Sequence, residues 1–375
     1  MMQLINFFQS KGGALTFACT AKQTDYQVDL EPLGIHVAFI KLNSDSFDVF
    51  VKELNPTMVV FDRFTSEEQF GWRVLQQCPE AFRVLNTEDL HFLRDARRQA
   101  VEDGRTLDIS QQSDLRTGNA IREISALYRS DLTILVSELE IDLLKSTFQV
   151  PSHLLYYLPL FASDSPASIP SFEDRDGFLF IGNFLHKPNL DAVSYLKETI
   201  WPLIRALLPA ATLNIYGAYP GQKALSFHNA DEGFYVHGRA DDALKVNLEA
   251  RVSLVPLRFG AGIKGKLQEA MVCGTPSVTT SIGAESMQYE TLWNGEITDS
   301  PDSFARAAVD LYTNQEKWMR AQEDGFTIIE NRYKPELHLP NFEKMLEEVF
   351  NNLEEHRSKD FTSHLMQQEF MMSSR

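Results

Sequence analysis

The sequence has few cysteines and no apolar segment long enough to cross a bilayer. Its three cysteines, Cys19, Cys78 and Cys273, lie far apart among 375 residues, which argues against a disulfide framework and a cysteine metal site. No apolar run approaches the roughly 20 residues of a membrane helix. The N-terminus lacks the charged and apolar regions of a secretory signal. We therefore expect a cytoplasmic protein that is not embedded in a membrane.

Basic residues are also scarce, with 35 Lys and Arg against 52 Asp and Glu and a net charge of −17. A field of this sign repels nucleic acid and anionic lipid, so we expect no nucleic-acid partner. One short basic cluster, Arg94, Arg97 and Arg98, has only a weak apolar face beside it. A solvated helix face is the simpler interpretation, and membrane contact is at most peripheral.

Short β-branched or aromatic runs alternate with helical segments, which predicts parallel α/β architecture. A stretch rich in Ser, Pro and Asp near 162–167 is typical of a linker. The expected domains are 1–165 and 166–335, followed by a helix and polar tail, 336–375. Open parallel sheets bind ligands at the carboxyl ends of their strands, so the chemistry should lie between the domains. The predicted strands are Leu4–Phe8, His36–Leu42, Met58–Phe61, Phe82–Leu85, Leu132–Val136, Leu154–Leu158, Phe178–Ile181, Thr212–Tyr216, Phe234–Val236, Val252–Leu257 and Ser277–Thr280.

One helix carries clear signals in the second domain. Asn189 is a suitable N-cap, and apolar residues then recur every three or four positions. Pro202 should kink or break this helix.

The most informative segment, Leu257 to Glu269, lies between a predicted strand and a predicted helix. It holds the glycines Gly260, Gly262 and Gly265 together with the cations Arg258, Lys264 and Lys266. Small residues let backbone amides approach a ligand, and a helix start adds positive charge, so the loop suits a phosphate. A tight turn with solvated lysines is the plain alternative.

The loop fits the residue patterns of two familiar phosphate-binding motifs, but in each case a further residue that the motif requires is missing. A dinucleotide site needs an acidic residue at the end of the next strand, which here ends Thr279-Thr280-Ser281. A P-loop needs Ser or Thr after its lysine, where this chain has Leu267. Neither site is therefore predicted.

A carboxylate in the following helix suggests a different ligand. Glu269 can accept hydrogen bonds from a ribose diol while the lysines face a diphosphate, which describes a nucleotide-sugar. Gly182 and Lys187 follow the first strand of this domain, and Glu285 follows the strand after the loop, so all three point toward the same cleft. The assignment requires that residues 260–269 not be buried against a neighbouring element.

A series of short motifs resembles the C-terminal domain of glycosyltransferase family 4, whose enzymes have the GT-B fold. The resemblance covers about Phe178 to Met287. In the first half it is thinner and rests on Gly12-Gly13 and on Ser130-Asp131 through Glu138. The motifs are Phe180-Ile181-Gly182-Asn183, Pro188 to Ala192, Trp201-Pro202, Val236-His237-Gly238, Ala250-Arg251-Val252, the glycine loop, Glu269-Ala270-Met271, Gly274-Thr275-Pro276 and Gly283-Ala284-Glu285.

The resemblance implies two Rossmann-like domains around a cleft, with the C-terminal helix crossing back to the N-domain. It implies a nucleotide-sugar donor on the second domain and an acceptor on the first. It also implies transfer that usually retains the anomeric configuration and needs no essential metal.

At residue level, Glu269 matches the second glutamate of the family's Glu-x7-Glu motif and is expected on the ribose. The first glutamate falls at Ala261, so the chain departs from the pattern, and Glu285 is the candidate that would take its place. The family's Arg and Lys map loosely onto His186 and Lys187, a role that Lys264 and Lys266 can share. The segment from Val236 to Asp241 is expected near the base.

The N-terminal half offers further candidates. Gly12 and Gly13 follow a predicted strand and are expected to present backbone amides to the diphosphate, with a plain turn as the alternative. His91 follows the strand Phe82–Leu85 and is the first choice for an acid, a base or a sugar-hydroxyl partner. Asp62 and Arg63 suggest a buried ion pair rather than acceptor binding.

These residues together predict a glycosyltransferase in which His91, Lys266 and Glu269 are the catalytic candidates. Its acceptor is a saccharide, a lipid-linked saccharide or a protein, and no cofactor or metal is expected. The Asp174-Arg175-Asp176 sequence is interpreted as solvent-exposed linker rather than a metal motif. Two alternatives remain: a noncatalytic GT-B-like nucleotide-sugar-binding or accessory subunit, which the alanine at 261 keeps open, and an NAD-dependent enzyme.

Overall fold

The computed structural model describes residues 1–21, 27–109 and 112–373. All paired strands are parallel. The strands are β1 Thr16–Cys19, β2 His36–Phe39, β3 Met58–Asp62, β4 Phe82–Glu88, β5 Leu132–Leu135, β6 Leu155–Tyr157, β7 Phe178–Ile181, β8 Leu213–Tyr216, β9 Phe234–Gly238, β10 Val252–Val255, β11 Ser277–Thr279 and β12 Gly295–Ile297.

The helices flank these strands. They are α1 Met2–Ser10, α2 Ser46–Leu54, α3 Phe64–Gln77, α4 His91–Glu102, α5 Gly118–Arg129, α6 Glu138–Phe148, α7 Lys187–Tyr195, α8 Trp201–Leu207, α9 Gln222–Ser226, α10 Ala243–Glu249, α11 Gly265–Val272, α12 Ser281–Ala284, α13 Pro301–Thr313, α14 Gln315–Arg332, α15 Pro335–Asn351, α16 Leu353–Ser358 and α17 Phe361–Ser373.

The strands form two principal sheets, which confirms the expected parallel α/β fold. The N-terminal half, β1–β6 with α1–α6, has a sheet in the order β3-β4-β5-β6 and a separate β1-β2 pair. The C-terminal half, β7–β12 with α7–α14, has a sheet in the order β12-β11-β10-β7-β8-β9. Each half has its own apolar core, and β10 in the centre of the second sheet is buried at every position. Such burial explains why the central strands β7 and β10 are almost entirely apolar.

The C-terminal helices return to the N-terminal half, as expected. Phe342 of α15 packs with Phe7 and Phe82 in one buried cluster. Arg357 of α16 donates hydrogen bonds of 2.9 Å to both carboxylate oxygens of Asp131, at the start of β5. The final helices therefore belong to the fold of the first half although they follow the second half in sequence.

The prediction of a strand at Leu4–Phe8 is wrong, because this segment lies within α1. Leu4 and Phe7 pack on the Phe342 cluster, whereas Ile5 contacts a separate cluster with Leu30 and Ile35. A short apolar run buried on two sides does not reveal its period from sequence alone. The strands β1 and β12 were not predicted.

Residues 163–165 of the predicted linker are exposed, whereas the chain just before β7 is held against the C-terminal half. Arg175 is 1% exposed and donates to the Thr275 hydroxyl at 2.7 Å and to the Cys273 carbonyl at 2.7 Å. The interpretation of Asp174-Arg175-Asp176 as solvent-exposed is therefore wrong at its arginine. The Ala162 N–H donates to the Tyr333 carbonyl at 3.0 Å, so the two chain crossings between the halves are joined.

The helix predicted from Asn189 begins two residues earlier, and His186 rather than Asn189 is its N-cap. Directly before Trp201-Pro202 the backbone forms a wider turn over Leu196–Ile200, which separates α7 from α8. The predicted disturbance at Pro202 is confirmed, since a proline removes a backbone donor and crowds the preceding turn.

Candidate functional site

The two halves meet at the carboxyl ends of their strands. A Cβ atom added at Gly262 would lie 2.9 Å from the Asp89 Cβ and 3.2 Å from the Glu88 carbonyl oxygen, just beyond β4. The hydroxyl oxygens of Ser137, after β5, and Ser286, after α12, are 2.9 Å apart. The sheet edges that should carry the chemistry therefore face each other across a closed cleft.

The front of the glycine loop is buried against the N-terminal half. Arg97 of α4 donates to the Gly260 carbonyl at 2.7 Å, and the Gly262 N–H donates to Glu140 Oε1 at 2.6 Å. Gly260, Gly262 and Lys264 are all buried. The expectation that the whole stretch 260–269 is free of neighbouring elements is therefore wrong for its first half.

Lys264 is engaged within this buried part of the loop. Its ammonium group donates to the Gly262 carbonyl at 2.5 Å. Burial lowers the pKa of Lys264, and the carboxylates of Glu285 and Glu140 partly oppose that effect. Arg258, which is exposed, forms an ion pair with Asp191 of α7. Lys264 and Arg258 thus have partners within the protein.

Around Lys266, the second part of the loop forms a group with Gly182 and Asn189, here called the open group. Lys266 Nζ lies 2.5 Å from Asn189 Oδ1 and 4.4 Å from the centroid of the Phe180 ring. A Cβ atom at Gly182 would approach the same Nζ to 2.6 Å, so glycine at 182 leaves room for the lysine. A Cβ at Gly265, the first residue of α11, would meet nothing within 4 Å. The helix start at Gly265 therefore faces open space, and Lys266 lies partly buried beside it.

Desolvation shifts the pKa values of Lys266 and Glu269 in this open group. Burial lowers the pKa of Lys266 to about 7, and the nearby Glu269 carboxylate partly opposes that effect. Burial raises the pKa of Glu269, and Lys266 opposes that rise. A lysine that gains charge readily beside an open helix N-terminus suits an incoming anion.

Residues before α7 form the adjoining wall. Lys187 is exposed at the first position of α7. His186 reaches solvent with part of its side chain, yet desolvation, followed by the positive charge of Arg94, lowers its pKa to about 4. Arg94 and Asp89, whose charges act on the pKa of His186, belong to the N-terminal half.

His91 lies in the N-terminal half, after β4. It is the first residue of α4, its Nε2 is 3.5 Å from Asp89 Oδ1, and its ring meets the Phe64 ring edge-on at 5.4 Å. Burial lowers the pKa of His91, which favours the neutral imidazole and a proton-accepting role. Asp89 also pairs with Arg94.

Three predicted donor contacts have other partners in the structure. Glu285 accepts hydrogen bonds from Arg97 at 2.8 and 2.6 Å, one on each carboxylate oxygen. The Gly12 and Gly13 amides donate to the Gln9 and Phe8 carbonyls and end α1. The strand on which the Gly12 and Gly13 prediction rested is absent, so its premise is wrong.

Other site residues were not found from the sequence. Arg97 was assigned to a solvated face, but it is 5% exposed and bonded to Glu285. Arg63 pairs with Glu88 rather than with the adjacent Asp62. Asn189 was taken for a helix cap. Glu140 ends a Ser-x-x-Glu pattern that begins at Ser137 and marks a helix start, but this pattern does not indicate that its carboxylate crosses the cleft.

Within the described ranges, no cluster of three or more His, Cys, Asp or Glu side chains is placed to hold a metal ion. No helix among them combines the length and apolarity needed to span a bilayer.

Comparison with known proteins finds a family match in the C-terminal half. Residues 175–314 match the family model of glycosyl transferases group 1. No curated protein sequence matches the chain.

Solved structures give the fold of the whole chain. Sucrose-phosphate synthase from Thermosynechococcus elongatus has a TM-score of 0.68 at 14% identity, over 93% of this chain and 92% of that one. The Anabaena protein HepE, solved with UDP and glucose, has a TM-score of 0.65 at 12% identity, over 92% and 95%.

TarM from S. aureus, solved with UDP, has a TM-score of 0.61 at 13% identity and covers 80% of this chain. This chain spans only 57% of TarM. The resemblance drawn from the sequence motifs is confirmed: residues 175–314 match the glycosyl transferases group 1 model, and the chain has the GT-B fold.

Proposed function

We propose that this protein is a glycosyltransferase that moves a sugar from a nucleotide diphosphate donor to an acceptor hydroxyl. The observation that carries the proposal is the open group at the start of α11, where Lys266 Nζ lies beside Gly182 and Asn189. The helix N-terminus and the lysine bind the diphosphate, and Glu269, in the same helix, accepts hydrogen bonds from the ribose.

The charge at this position suits the chemistry of the transfer. When the bond between the sugar and the diphosphate breaks, negative charge develops on the leaving diphosphate, and a fixed cation stabilises it. Lys266, whose pKa burial lowers to about 7, takes up a proton as the anion approaches. Its loss should lower turnover by about 100-fold, the usual effect of removing one such contact.

The comparisons support a uridine nucleotide as the first donor to test. TarM was solved with UDP, HepE with UDP and glucose, and the pneumococcal O-GlcNAc transferase GtfA with UDP and GlcNAc. Retention of the anomeric configuration and independence from metal are part of the proposal and follow from the family resemblance alone.

The acceptor binds on the wall formed by the N-terminal half. His91, with Asp89 at 3.5 Å, lies after β4 on the face of the cleft opposite His186. A neutral imidazole there accepts a proton from the acceptor hydroxyl or hydrogen-bonds a sugar hydroxyl. A saccharide, a lipid-linked saccharide and a protein all carry a suitable hydroxyl.

Thermal-shift measurements with UDP, GDP and ADP test the donor site directly. We expect stabilisation by at least one of them and its loss in Lys266→Ala and Glu269→Ala. Lys245→Ala removes an exposed lysine of α10 and should keep the shift. An undiminished shift in both site variants would show that the ligand binds elsewhere.

A noncatalytic nucleotide-sugar-binding or accessory subunit is the second candidate. The observation that favours it is the burial of Gly260, Gly262 and Lys264 against the N-terminal half, which narrows the accessible part of the loop. A panel of radiolabelled nucleotide-sugars separates the candidates. An active enzyme releases some free sugar even without acceptor, whereas a binding subunit leaves every donor intact.

A further inference from the structure

The N-terminal half holds the glycine loop at two points that are two residues apart. Arg97 of α4 donates to the Gly260 carbonyl at 2.7 Å. Glu140 of α6 accepts from the Gly262 N–H at 2.6 Å. Arg97 is 5% exposed and Glu140 is fully buried, so water does not compete for either bond.

The Glu140 side chain does not cap its own helix. In a Ser-x-x-Glu start the glutamate usually reaches back to the backbone N–H of the serine. Here Ser137 Oγ accepts from the Glu140 N–H at 3.3 Å, but the carboxyl group of Glu140 points across the cleft to Gly262. The bond therefore serves the contact between the halves.

Glu140 also destabilises the folded state in a way that the fold itself does not require. Its second oxygen, Oε2, is buried and has no hydrogen-bond partner among the described residues. An unsatisfied buried oxygen destabilises a protein, and an apolar side chain would avoid it. Such costs are commonly found where a residue serves function.

The held peptide leads directly to the donor site. Lys264 Nζ donates to the Gly262 carbonyl at 2.5 Å, and Lys264 is the N-cap of α11. Gly262 has φ +61°, and a Cβ there would lie 2.9 Å from the Asp89 Cβ, so the loop has little room to shift while the halves are closed. A displacement of Gly262 thus moves the start of the helix that carries Lys266.

We propose that Glu140 is a positioning residue for the donor site, which fixes Gly262 across the cleft and thereby sets the position of the α11 start. This inference rests on the function proposed above. Because Glu140 and Gly262 belong to different halves, their bond exists only when the cleft is closed. Order in the donor loop is therefore coupled to closure of the halves.

Hydrogen exchange measured by mass spectrometry on the full chain tests the contact without any ligand. Exchange of the Gly262 amide, followed in a peptide spanning residues 258–266, should rise about tenfold or more in Glu140→Ala, since the acceptor is lost. Glu140→Gln keeps an oxygen at Oε1 and should retain protection. Asp142→Asn, an exposed change on the same helix, is the matched control and should match the wild type.

Steady-state hydrolysis of the best nucleotide-sugar from the panel gives the functional readout. Glu140→Ala should raise the donor KM about tenfold, the loss expected for one buried hydrogen bond. Glu140→Gln should stay within about twofold of the wild type. Restoration by the amide would separate a positioning role from simple loss of packing.

The outcomes distinguish this inference from the proposed function. If the wild type neither binds nor hydrolyses any nucleotide-sugar, the proposed function fails, while the exchange data still decide whether the contact exists. If the wild type is active but Glu140→Ala keeps its donor KM and its exchange rate, the positioning role is overturned. An unprotected Gly262 amide in the wild type, or equal losses in the alanine and glutamine variants, would overturn it as well.

Discussion

The ammonium nitrogen of Lys266 lies 2.5 Å from the side-chain oxygen of Asn189, although the two residues belong to helices that follow different strands. The partner is a neutral amide, so it orients the lysine without cancelling its charge. Burial lowers the pKa of Lys266 to about 7. The contact therefore holds a lysine that is easily protonated at the open start of α11.

Nucleoside diphosphate binding should be accompanied by proton uptake. At pH 8 Lys266 is mostly neutral in the free protein, because its pKa of about 7 is below the pH. An adjacent diphosphate favours the charged form and raises that pKa, so binding takes up about one proton. Affinity should accordingly fall as the pH rises above 7.

Calorimetric titration with UDP at pH 8, in two buffers of different ionisation enthalpy, measures this uptake. Lys266→Met should abolish it and weaken binding at least tenfold. Equal heats in the two buffers for a wild type that binds UDP would contradict a neutral lysine at this site.

The sequence predicts the second half better than the first, and the reason is burial. Strands of a parallel sheet covered on both faces are continuous apolar runs, and Phe178–Ile181 matches β7 at both ends. The Met2–Ser10 segment was misassigned because its apolar residues contact two different clusters, which hides the helical period.

The candidate site was likewise predicted only in part from the sequence. Gly182, Lys266 and Glu269 were predicted from residue type and strand order, and the structure brings them together. Arg97 and Glu140 were missed because their partners are 163 and 122 residues away along the chain. Long-range pairing across a cleft depends on how the halves dock, which local sequence patterns do not record.

Two glycine substitutions in the loop should have opposite effects on stability. Gly262→Ala forces a Cβ to 2.9 Å from the Asp89 Cβ at a φ of +61°, and should cost about 1–2 kcal/mol. Gly265→Ala enters open space at the first position of α11, and should raise the free energy of unfolding by about 0.4–1 kcal/mol. Urea unfolding measures both.

The same pair tests the ligand position. The methyl group of Gly265→Ala occupies the space in front of the helix start, so we expect weaker UDP binding in a protein that is more stable. Wild-type affinity in this variant would place the diphosphate away from α11.

Arg97→Met should open the cleft rather than unfold the chain. Arg97 is bonded to both carboxylate oxygens of Glu285, and the pair joins the two halves. Removing the arginine leaves the partly buried Glu285 without its hydrogen-bonded ion-pair partner, which costs up to about 3–5 kcal/mol when nothing relaxes. In Arg97→Met we expect the two halves to separate, because water can then solvate the Glu285 carboxylate.

Small-angle X-ray scattering should therefore show a larger radius of gyration for Arg97→Met, with little change in the melting temperature. The double variant Arg97→Met, Glu285→Leu removes the stranded charge and should recover the closed form. An unchanged radius in the single variant would show that this ion pair does not control closure.

The free energy of unfolding should decrease as the pH rises, because of Glu123. Its carboxyl group accepts hydrogen bonds of 3.0 Å from the His91 and Phe92 amides at the start of α4. Burial nevertheless raises the pKa of Glu123 from 4.5 to about 8, although these two bonds partly oppose the rise. Between those values the folded state keeps a proton that the unfolded state has lost. The free energy of unfolding therefore falls as the pH rises through this window and levels off above about 8.

Urea unfolding at pH 5.5, 7 and 8.5 measures the slope, to which one such group contributes at most about 1.4 kcal/mol per pH unit. The two amides donate to different oxygens of Glu123, so Glu123→Gln keeps one of the two acceptors. It removes the titration, so its slope should be shallower. The slope should not vanish, because burial also raises the pKa of Glu140. Identical slopes in the two proteins would show that Glu123 ionises normally in the folded state and caps α4 as a carboxylate.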